Sequence, residues 1–268
     1  METFDVAVVG MGALGSAAAY HLARKGVKVV AFEQCGLGHV RGASHDTSRI
    51  IRTSYGNAAY VRLAEAAYRD WADFEEVAGE QFTSITGGLV FIPTSGPYSA
   101  SDFARSLDDV GIPYELLSPA EVHERWPQFS IPEGVETVYT PDSGIVHAAR
   151  SVTAFQMQAR VHGAVIRPRT PVERITPDDE GVIVHTPNGD VRARKVILAT
   201  DAWTNALLEP LGARIPLVTM QEQVTYFKPT EPDAFDRESF PVWIWEDESC
   251  FYGFPTYGEP TIKAARDV

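Results

Sequence analysis

A strand, a glycine-rich turn and a helix open this chain, and they constrain its fold more than any other stretch. The apolar run from Val6 to Val9 predicts a buried parallel strand. It leads into Gly10, Gly12 and Gly15, in the spacing G-x-G-x-x-G, and then into a helix predicted over residues 17–25. This order predicts a Rossmann-like α/β unit that binds a pyrophosphate at the helix N-terminus.

Glu33 ends the second predicted strand, roughly 20 residues after Gly10. A carboxylate at this point accepts a hydrogen bond from a ribose hydroxyl and repels the 2′-phosphate of NADP. A glycine-rich turn without a ligand is the alternative. We expect a dinucleotide site formed by Gly10, Gly12, Ala13, Leu14, Gly15 and Glu33.

Charge and cysteine content exclude several other classes of protein. The net charge is −13, and no segment is rich in lysine and arginine, so we expect neither nucleic acid nor a membrane as partner. Cys35 and Cys250 lack the spacing of metal ligands and do not form a disulfide framework. We therefore expect no metal site and a cytoplasmic location.

Strand-rich blocks interrupt the nucleotide-binding part of the sequence. Residues 85–148 and 217–268 differ in character from residues 1–84 and 149–216. We expect an α/β protein, α+β overall, in which a discontinuous Rossmann-like domain is interleaved with a strand-rich substrate domain. A ligand would lie in the cleft between the two domains.

Short local signals predict how some elements begin. Asn57 is placed to cap a long helix, and Ser118 with Glu121 forms a capping box. No terminating element is predicted for residues 261–268.

Two arginines bracket the short segment Arg49-Ile50-Ile51-Arg52. A helix would place both arginines on one face, whereas an extended strand would place them on opposite faces. Two surface arginines without a function are the alternative.

Several stretches together resemble the glycine/D-amino-acid oxidase group of flavoproteins, in particular its monomeric sarcosine oxidase and N-methyltryptophan oxidase branch. The resemblance is collinear from residue 4 to Lys263. Beyond the N-terminal turn, the matching stretches are Gly42 to Arg52, Tyr55-Gly56, Arg125-Trp126-Pro127, Asp142-Ser143-Gly144, Ala202-Trp203 and Phe251-Tyr252-Gly253-Phe254-Pro255.

The resemblance implies FAD as the cofactor and assigns roles to individual residues. His45 and Arg49 would lie by the isoalloxazine ring, Arg52 would bind the substrate carboxylate, and Tyr252 would line the substrate pocket. Lys263 would lie beside the flavin where oxygen reacts, with a solvated surface lysine as the alternative. The further cofactor contacts would be Ala43, Ser44, Ser48, Ile50, Val172 and Trp203.

The activity implied by the resemblance is oxidation of a secondary amino acid, N-methylated or cyclic, to an imine. Oxygen would be reduced to hydrogen peroxide, and the protein would act as a monomer. An NAD-linked dehydrogenase explains the N-terminal turn equally well, but it does not explain residues 42–52. A shortened flavoprotein without catalytic activity is the third hypothesis.

This chain departs from the family pattern at several positions. Asp46 and Asp201 stand where the family has glycine, and Asp267 replaces a histidine. Family members continue for roughly a hundred residues after Lys263, through the cysteine that attaches the flavin covalently. We therefore expect a truncated chain that binds flavin weakly and non-covalently.

Overall fold

The structure, a computed structural model, describes residues 1–267. Within that range, no helix combines the length and apolarity needed to span a lipid bilayer. The α-helices of the described residues are α1 Ala13–Arg24, α2 Ala58–Ala78, α3 Ala100–Asp108, α4 Pro119–Arg125, α5 Ala148–Val161 and α6 Thr204–Leu208.

The strands of the described residues are β1 Glu2–Val9, β2 Val29–Phe32, β3 Arg49–Ile51, β4 Thr83–Ile85, β5 Gly88–Pro93, β6 Glu115–Leu117, β7 Val135–Thr140, β8 Gly144–Val146, β9 Val165–Arg167, β10 Arg174–Asp178, β11 Gly181–His185, β12 Val191–Leu198, β13 Val224–Phe227, β14 Val242–Trp245, β15 Cys250–Phe254 and β16 Ile262–Asp267.

The chain divides into two compact units. The first unit comprises Met1–Asp46 and Ala148–Met220, and the second comprises Thr47–His147 and Gln221–Val268. Residues 47–84, which contain α2, belong to the second unit, whereas the sequence pattern predicts them in the nucleotide-binding domain. The assignment of cofactor and substrate to separate domains stays a prediction.

The first unit is built on a sheet with the strand order β10-β11-β12-β1-β2-β9. The strands β12, β1, β2 and β9 run parallel, and β10 and β11 extend the sheet as an antiparallel hairpin beside β12. Val8 and Val29 are fully buried, as the predicted apolar runs require. Both inner strands therefore end at one edge of the sheet, where the glycine turn begins.

The second unit contains two sheets. The larger has the order β13-β16-β15-β14-β5-β7-β6, and the smaller has the order β3-β8-β4. All neighbouring strands of the larger sheet are antiparallel except β14 and β5, which pair in parallel.

Helix caps confirm two of the local predictions. The Asn57 side chain accepts a hydrogen bond from the backbone of Ala59 at the start of α2. Ser118 and Glu121 exchange both bonds of a capping box at the start of α4. No terminating element is evident in the sequence of residues 261–268, yet the structure forms β16 there, paired with both β13 and β15. Val268 lies outside the described residues.

Aspartates occupy two positions with left-handed backbone. Asp46 has φ of 88° and Asp201 has φ of 47°. L-residues other than glycine are strained in this region, and aspartate and asparagine tolerate it better than most. At both positions the family that this sequence resembles has glycine. The left-handed backbone explains why glycine is found there and limits which other residues can occupy these positions.

Asp201 offers a test of this strain. Its backbone oxygen accepts from the Thr204 hydroxyl, a bond that no substitution of the side chain removes. We expect Asp201→Gly to equal or exceed the parent in free energy of unfolding, and Asp201→Ala to lose about 1 kcal/mol relative to glycine. Urea unfolding of the three proteins measures this order. An alanine variant more stable than the glycine variant would contradict it.

Candidate functional site

The glycine turn after β1 leaves no room for side chains. A Cβ atom on Gly10, whose φ is +94°, would lie 2.3 Å from the backbone oxygen of Ala199. A Cβ atom on Gly15 would lie 1.8 Å from the oxygen of Gly10. These two glycines let the helix and strands of the first unit approach each other closely, which is the packing role the motif predicts.

The N-terminus of α1 is open to an anion. Gly12 caps the helix and provides no side-chain hydrogen bond, and Leu14 in the first turn is 81% exposed. The Ser44 hydroxyl accepts from the backbone N–H of Ala13 at 2.9 Å. A hydroxyl that accepts one bond still carries its own hydrogen for a phosphate oxygen. The predicted residues Gly12, Ala13, Leu14 and Ser44 therefore meet at a helix end suited to phosphate.

Glu33 is buried at the edge of the same sheet and has one acceptor position to spare. Its Oε2 accepts from the backbone N–H of Met11 at 3.0 Å, and its Oε1 accepts from that of Cys35 at 2.9 Å. The Nε2 of His39 lies 3.2 Å from Oε1. Because Nδ1 of His39 accepts from the Arg41 backbone, we assign the ring hydrogen to Nε2.

A carboxylate has about four lone-pair sites, so these three donors leave one, on Oε2. A ribose hydroxyl could donate to it. The glycine turn, the open helix end and this remaining acceptor together fit an adenine dinucleotide such as FAD.

The spacing of the cysteines in the sequence did not reveal a group of side chains around Glu33 that could bind a metal ion. The ligand atoms of Glu33, Cys35 and His39 all lie within 4.8 Å of one another, in the combination of oxygen, sulfur and nitrogen that zinc accepts. The signal in the sequence was a carboxylate, a thiol and an imidazole within seven residues. A metal would draw Glu33 away from ribose, so one carboxylate cannot serve both ligands.

The remaining predicted residues of the first unit lie in loops, except Trp203, which ends a short 3-10 helix. Nδ1 of His45 lies 2.7 Å from the Gly42 backbone oxygen, which fixes the ring. Ala43 and Trp203 are exposed, and Val172 is partly buried against the core at Val9. Their contact with a cofactor stays a prediction.

Lys263 is buried in the second unit. Its side chain is 3% exposed, and Nζ donates to the backbone oxygen of Ser48 at 2.8 Å. The ammonium also lies 4.5 Å from the centre of the Phe254 ring. The alternative of a solvated surface lysine is therefore wrong. Ser48 and Lys263, both predicted site residues, are in direct contact.

Arg49 begins the extended strand β3 and Arg52 follows that strand directly, so their odd spacing favours opposite faces. Nη1 of Arg49 donates to the Ser48 backbone oxygen at 2.9 Å. The Arg52 side chain is 19% exposed and stacks on the Tyr55 ring, 4.4 Å from its centre. Neither arginine is freely solvated, since both are partly buried, and whether they have a function stays a prediction.

Arg52 carries an unsatisfied donor. Its Nη1 is buried and has no hydrogen-bond partner among residues 1–267, where the nearest carboxylate oxygen, Oε2 of Glu246, is 3.9 Å away. Arg52 lines a cavity of only about 10 Å³ together with Ile50 and Ile244. Buried charged donors are almost always hydrogen-bonded, so this nitrogen could bond to an oxygen from outside the described residues.

Tyr252 lies in β15 and is half-buried. Its ring packs edge-on against Phe254, with centroids 5.9 Å apart. Cys250, on the same strand, has its thiol pKa raised to about 11, chiefly by burial and then by the charge of Glu246. The Cys250 thiol is therefore protonated at neutral pH and is a poor nucleophile.

A larger cavity lies elsewhere in the second unit. It measures about 360 Å³ and is lined by β6, β7 and the start of α4, including Leu117, Ser118 and Thr137. None of the predicted site residues lines this cavity.

Asp142 anchors the backbone next to Arg52. Both of its carboxylate oxygens accept from the Thr53 hydroxyl, at 2.9 and 3.0 Å, and its backbone oxygen accepts from the Tyr68 hydroxyl at 2.7 Å. Burial raises the pKa of the Asp142 carboxyl above its ordinary value, although the bond from Thr53 acts in the opposite direction.

A carboxyl group with a raised pKa makes stability depend on pH. The folded chain binds the proton more tightly than the unfolded chain, so the free energy of unfolding falls as pH rises from the unfolded pKa through the folded pKa. Asp142→Asn keeps an oxygen that accepts from Thr53 and does not titrate. We expect its free energy of unfolding, relative to the parent, to increase as the pH rises above the ordinary carboxyl pKa of about 4.

Urea unfolding at several pH values measures this difference. Asp179→Asn, in the exposed turn between β10 and β11, removes the same charge and is the control. A difference for Asp142→Asn that stays constant with pH would contradict the raised pKa.

Comparisons with known proteins agree on one family. The sequence model of the DAO family, described as FAD dependent oxidoreductase, matches residues 5–267. The monomeric sarcosine oxidase of Bacillus sp. (strain NS-129) is 31% identical over 262 residues, which are 97% of this chain and 68% of that protein. The N-methyl-L-tryptophan oxidase of Yersinia pestis (strain Pestoides F) is 27% identical over 259 residues, 96% of this chain and 68% of that protein.

Solved structures give the same picture. NikD, described as an unusual amino acid oxidase essential for nikkomycin biosynthesis, superposes with a TM-score of 0.84 at 27% identity. The superposition covers 100% of this chain and 70% of NikD. These matches confirm the predicted α/β fold class.

Proposed function

This chain belongs to the DAO family of FAD-dependent oxidoreductases, and on that premise we propose that it oxidises a secondary amino acid, N-methylated or cyclic, to an imine. Names of relatives support this substrate class, since sarcosine and N-methyl-L-tryptophan are both N-methyl amino acids. We further propose that the oxidant is O₂, that hydrogen peroxide is released, and that the protein acts as a cytoplasmic monomer.

The buried, unpartnered Nη1 of Arg52 is the observation that carries the substrate class. A guanidinium binds a carboxylate through two parallel charge-assisted hydrogen bonds, which fix orientation as well as position. Stacking on Tyr55 holds the Arg52 side chain in place before the ligand arrives. An amino acid held by its carboxylate would present its C–N bond in one orientation.

Different residues would hold different parts of FAD. We propose that Gly12, Ser44 and Glu33 bind the pyrophosphate and the ribose, and that Arg49 and Lys263 lie toward the isoalloxazine. Bound FAD would supply the redox chemistry, accepting a hydride equivalent from the carbon next to the amine and passing two electrons to oxygen.

Lys263 would contribute a fixed positive charge. Its ammonium is held by Ser48 in a site that excludes most water, where charge is stabilised more strongly than in solution. Reduction of O₂ begins with a one-electron step that produces a small anion. A cation held in place before that step lowers its barrier without reorganisation.

Oxygen uptake tests the proposed function. With FAD present, N-methylglycine should drive O₂ consumption and formation of an equal amount of peroxide, and NAD⁺ should not be reduced. Reduction of NAD⁺ would favour the dehydrogenase hypothesis, which the family match does not support. Flavin binding without turnover of any secondary amino acid would favour the non-catalytic hypothesis.

Gly12→Val tests where the cofactor binds. The new side chain would occupy the space of the pyrophosphate, and its Cβ would lie 2.9 Å from the Ser44 hydroxyl oxygen. We expect no FAD to remain with the variant after gel filtration, measured by absorbance near ~450 nm. Gly212→Asn, at a turn with no atom within 4 Å of the new Cβ, is the control and should retain FAD. Unchanged flavin content in Gly12→Val would exclude this turn as the site.

Lys263→Met tests the role in oxygen reduction. Methionine keeps the length and packing of the side chain and removes its charge. We expect reoxidation of the reduced flavin by O₂ to slow by about 10²–10³, with reduction by substrate nearly unchanged. Stopped-flow absorbance separates the two half-reactions. A variant that is reoxidised as fast as the parent would leave Lys263 with a structural role only.

A further inference from the structure

Glu246 is positioned as the nearest negative charge to Arg52. It follows β14 directly, and its backbone N–H donates to the oxygen of Phe91 at 2.8 Å, which ties it to the neighbouring strand β5. Its side chain is 17% exposed, close to the 19% of Arg52. The two charges therefore face each other in a half-buried position.

Arg52 and Glu246 do not form a hydrogen-bonded ion pair. A hydrogen bond between these groups would join nitrogen and oxygen at about 2.8 Å, whereas Nη1 of Arg52 and Oε2 of Glu246 are 3.9 Å apart. Nη1 has no hydrogen-bond partner within the part of the chain that the structure describes. Glu246 thus balances the charge of Arg52 without using its donor, and the donor stays available to an incoming oxygen.

We propose that Glu246 is a specificity-determining residue, a built-in counter-ion that weakens binding of carboxylates at Arg52 and selects against ligands with two of them. This inference rests on the proposed function, in which Arg52 binds the substrate carboxylate. A carboxylate on Nη1 would lie about 6 Å from the Glu246 carboxylate. Like charges at that separation in a half-buried site weaken binding by at least about tenfold.

The neighbouring groups do not offset the charge of Glu246. The Cys250 thiol lies close enough for Glu246 and Asp267 both to raise its pKa, so it is neutral at working pH. Asp267 adds a second negative charge near the same thiol. A second carboxylate on the ligand would be repelled by Glu246, whereas the amine of a monocarboxylate would not be repelled.

Ligand binding by the purified full chain tests the proposal without turnover. Titration calorimetry with acetate, which has one carboxylate, and malonate, which has two, gives both affinities. Glu246→Gln removes the charge and keeps the size of the side chain. Glu248→Gln, two residues further and exposed, makes the same charge change away from Arg52 and is the matched control.

We expect Glu246→Gln to bind acetate at least about tenfold more tightly than the parent and to gain still more for malonate. Glu248→Gln should change either affinity by less than about twofold. Equal gains in the two variants, or no gain in Glu246→Gln, would overturn the proposal. Glu246→Ala removes the same charge and is measured as a second variant. Unfolding curves for each variant show whether the absence of a gain in affinity is caused by misfolding.

Arg52→Met separates this inference from the proposed function. Loss of acetate binding in Arg52→Met, with a gain in Glu246→Gln, supports both. Loss of acetate binding in Arg52→Met without a gain in Glu246→Gln overturns the role of Glu246 alone. Acetate affinity that survives in Arg52→Met overturns the proposed function as well.

Discussion

The parallel pairing of β1 with β2 and β12 is the constraint on which the first unit depends. It brings the ends of the strands to one edge, so that Gly10 lies against the backbone of Ala199 and Glu33 accepts from Met11. Contacts this close exclude side chains and leave backbone N–H groups at the start of α1. The nucleotide-binding features therefore follow from strand pairing, and Gly10 and Gly15 are required by the close approach of neighbouring backbone.

The second unit contains two cationic side chains, Lys263 and Arg52, that differ in how far their hydrogen-bond donors have partners. Lys263 is buried and donates to Ser48, so its charge is fixed within the fold. Arg52 stacks on Tyr55 and faces Glu246, yet its buried Nη1 has no hydrogen-bond partner among the described residues. A cation whose hydrogen bonds are made within the fold suits an electrostatic role, whereas a cation with a donor left over can bind a ligand. This difference in bonding underlies the separate roles proposed for the two residues.

Local patterns predicted the features that depend on neighbours in sequence. The glycine turn, the cap at Asn57 and the box at Ser118 each need only a few residues, and all three form. Short segments were predicted poorly, because a few residues are too few to show the hydrophobic period of a helix or a strand. The strand β16 was missed, and the conformation of β3 stayed ambiguous until its pairing with β8 settled it. Glu246 was missed as well, because only tertiary packing brings it to Arg52.

The central claim is that this flavoprotein recognises a secondary amine by its carboxylate. Anaerobic mixing of the FAD-loaded protein with N-methylglycine or with dimethylamine tests it most directly, because the two amines differ by the carboxylate alone. Loss of absorbance near ~450 nm reports electron transfer to the flavin. The account predicts rapid bleaching by N-methylglycine and at least about 100-fold slower bleaching by dimethylamine. Equal rates, or bleaching by neither amine, would contradict it.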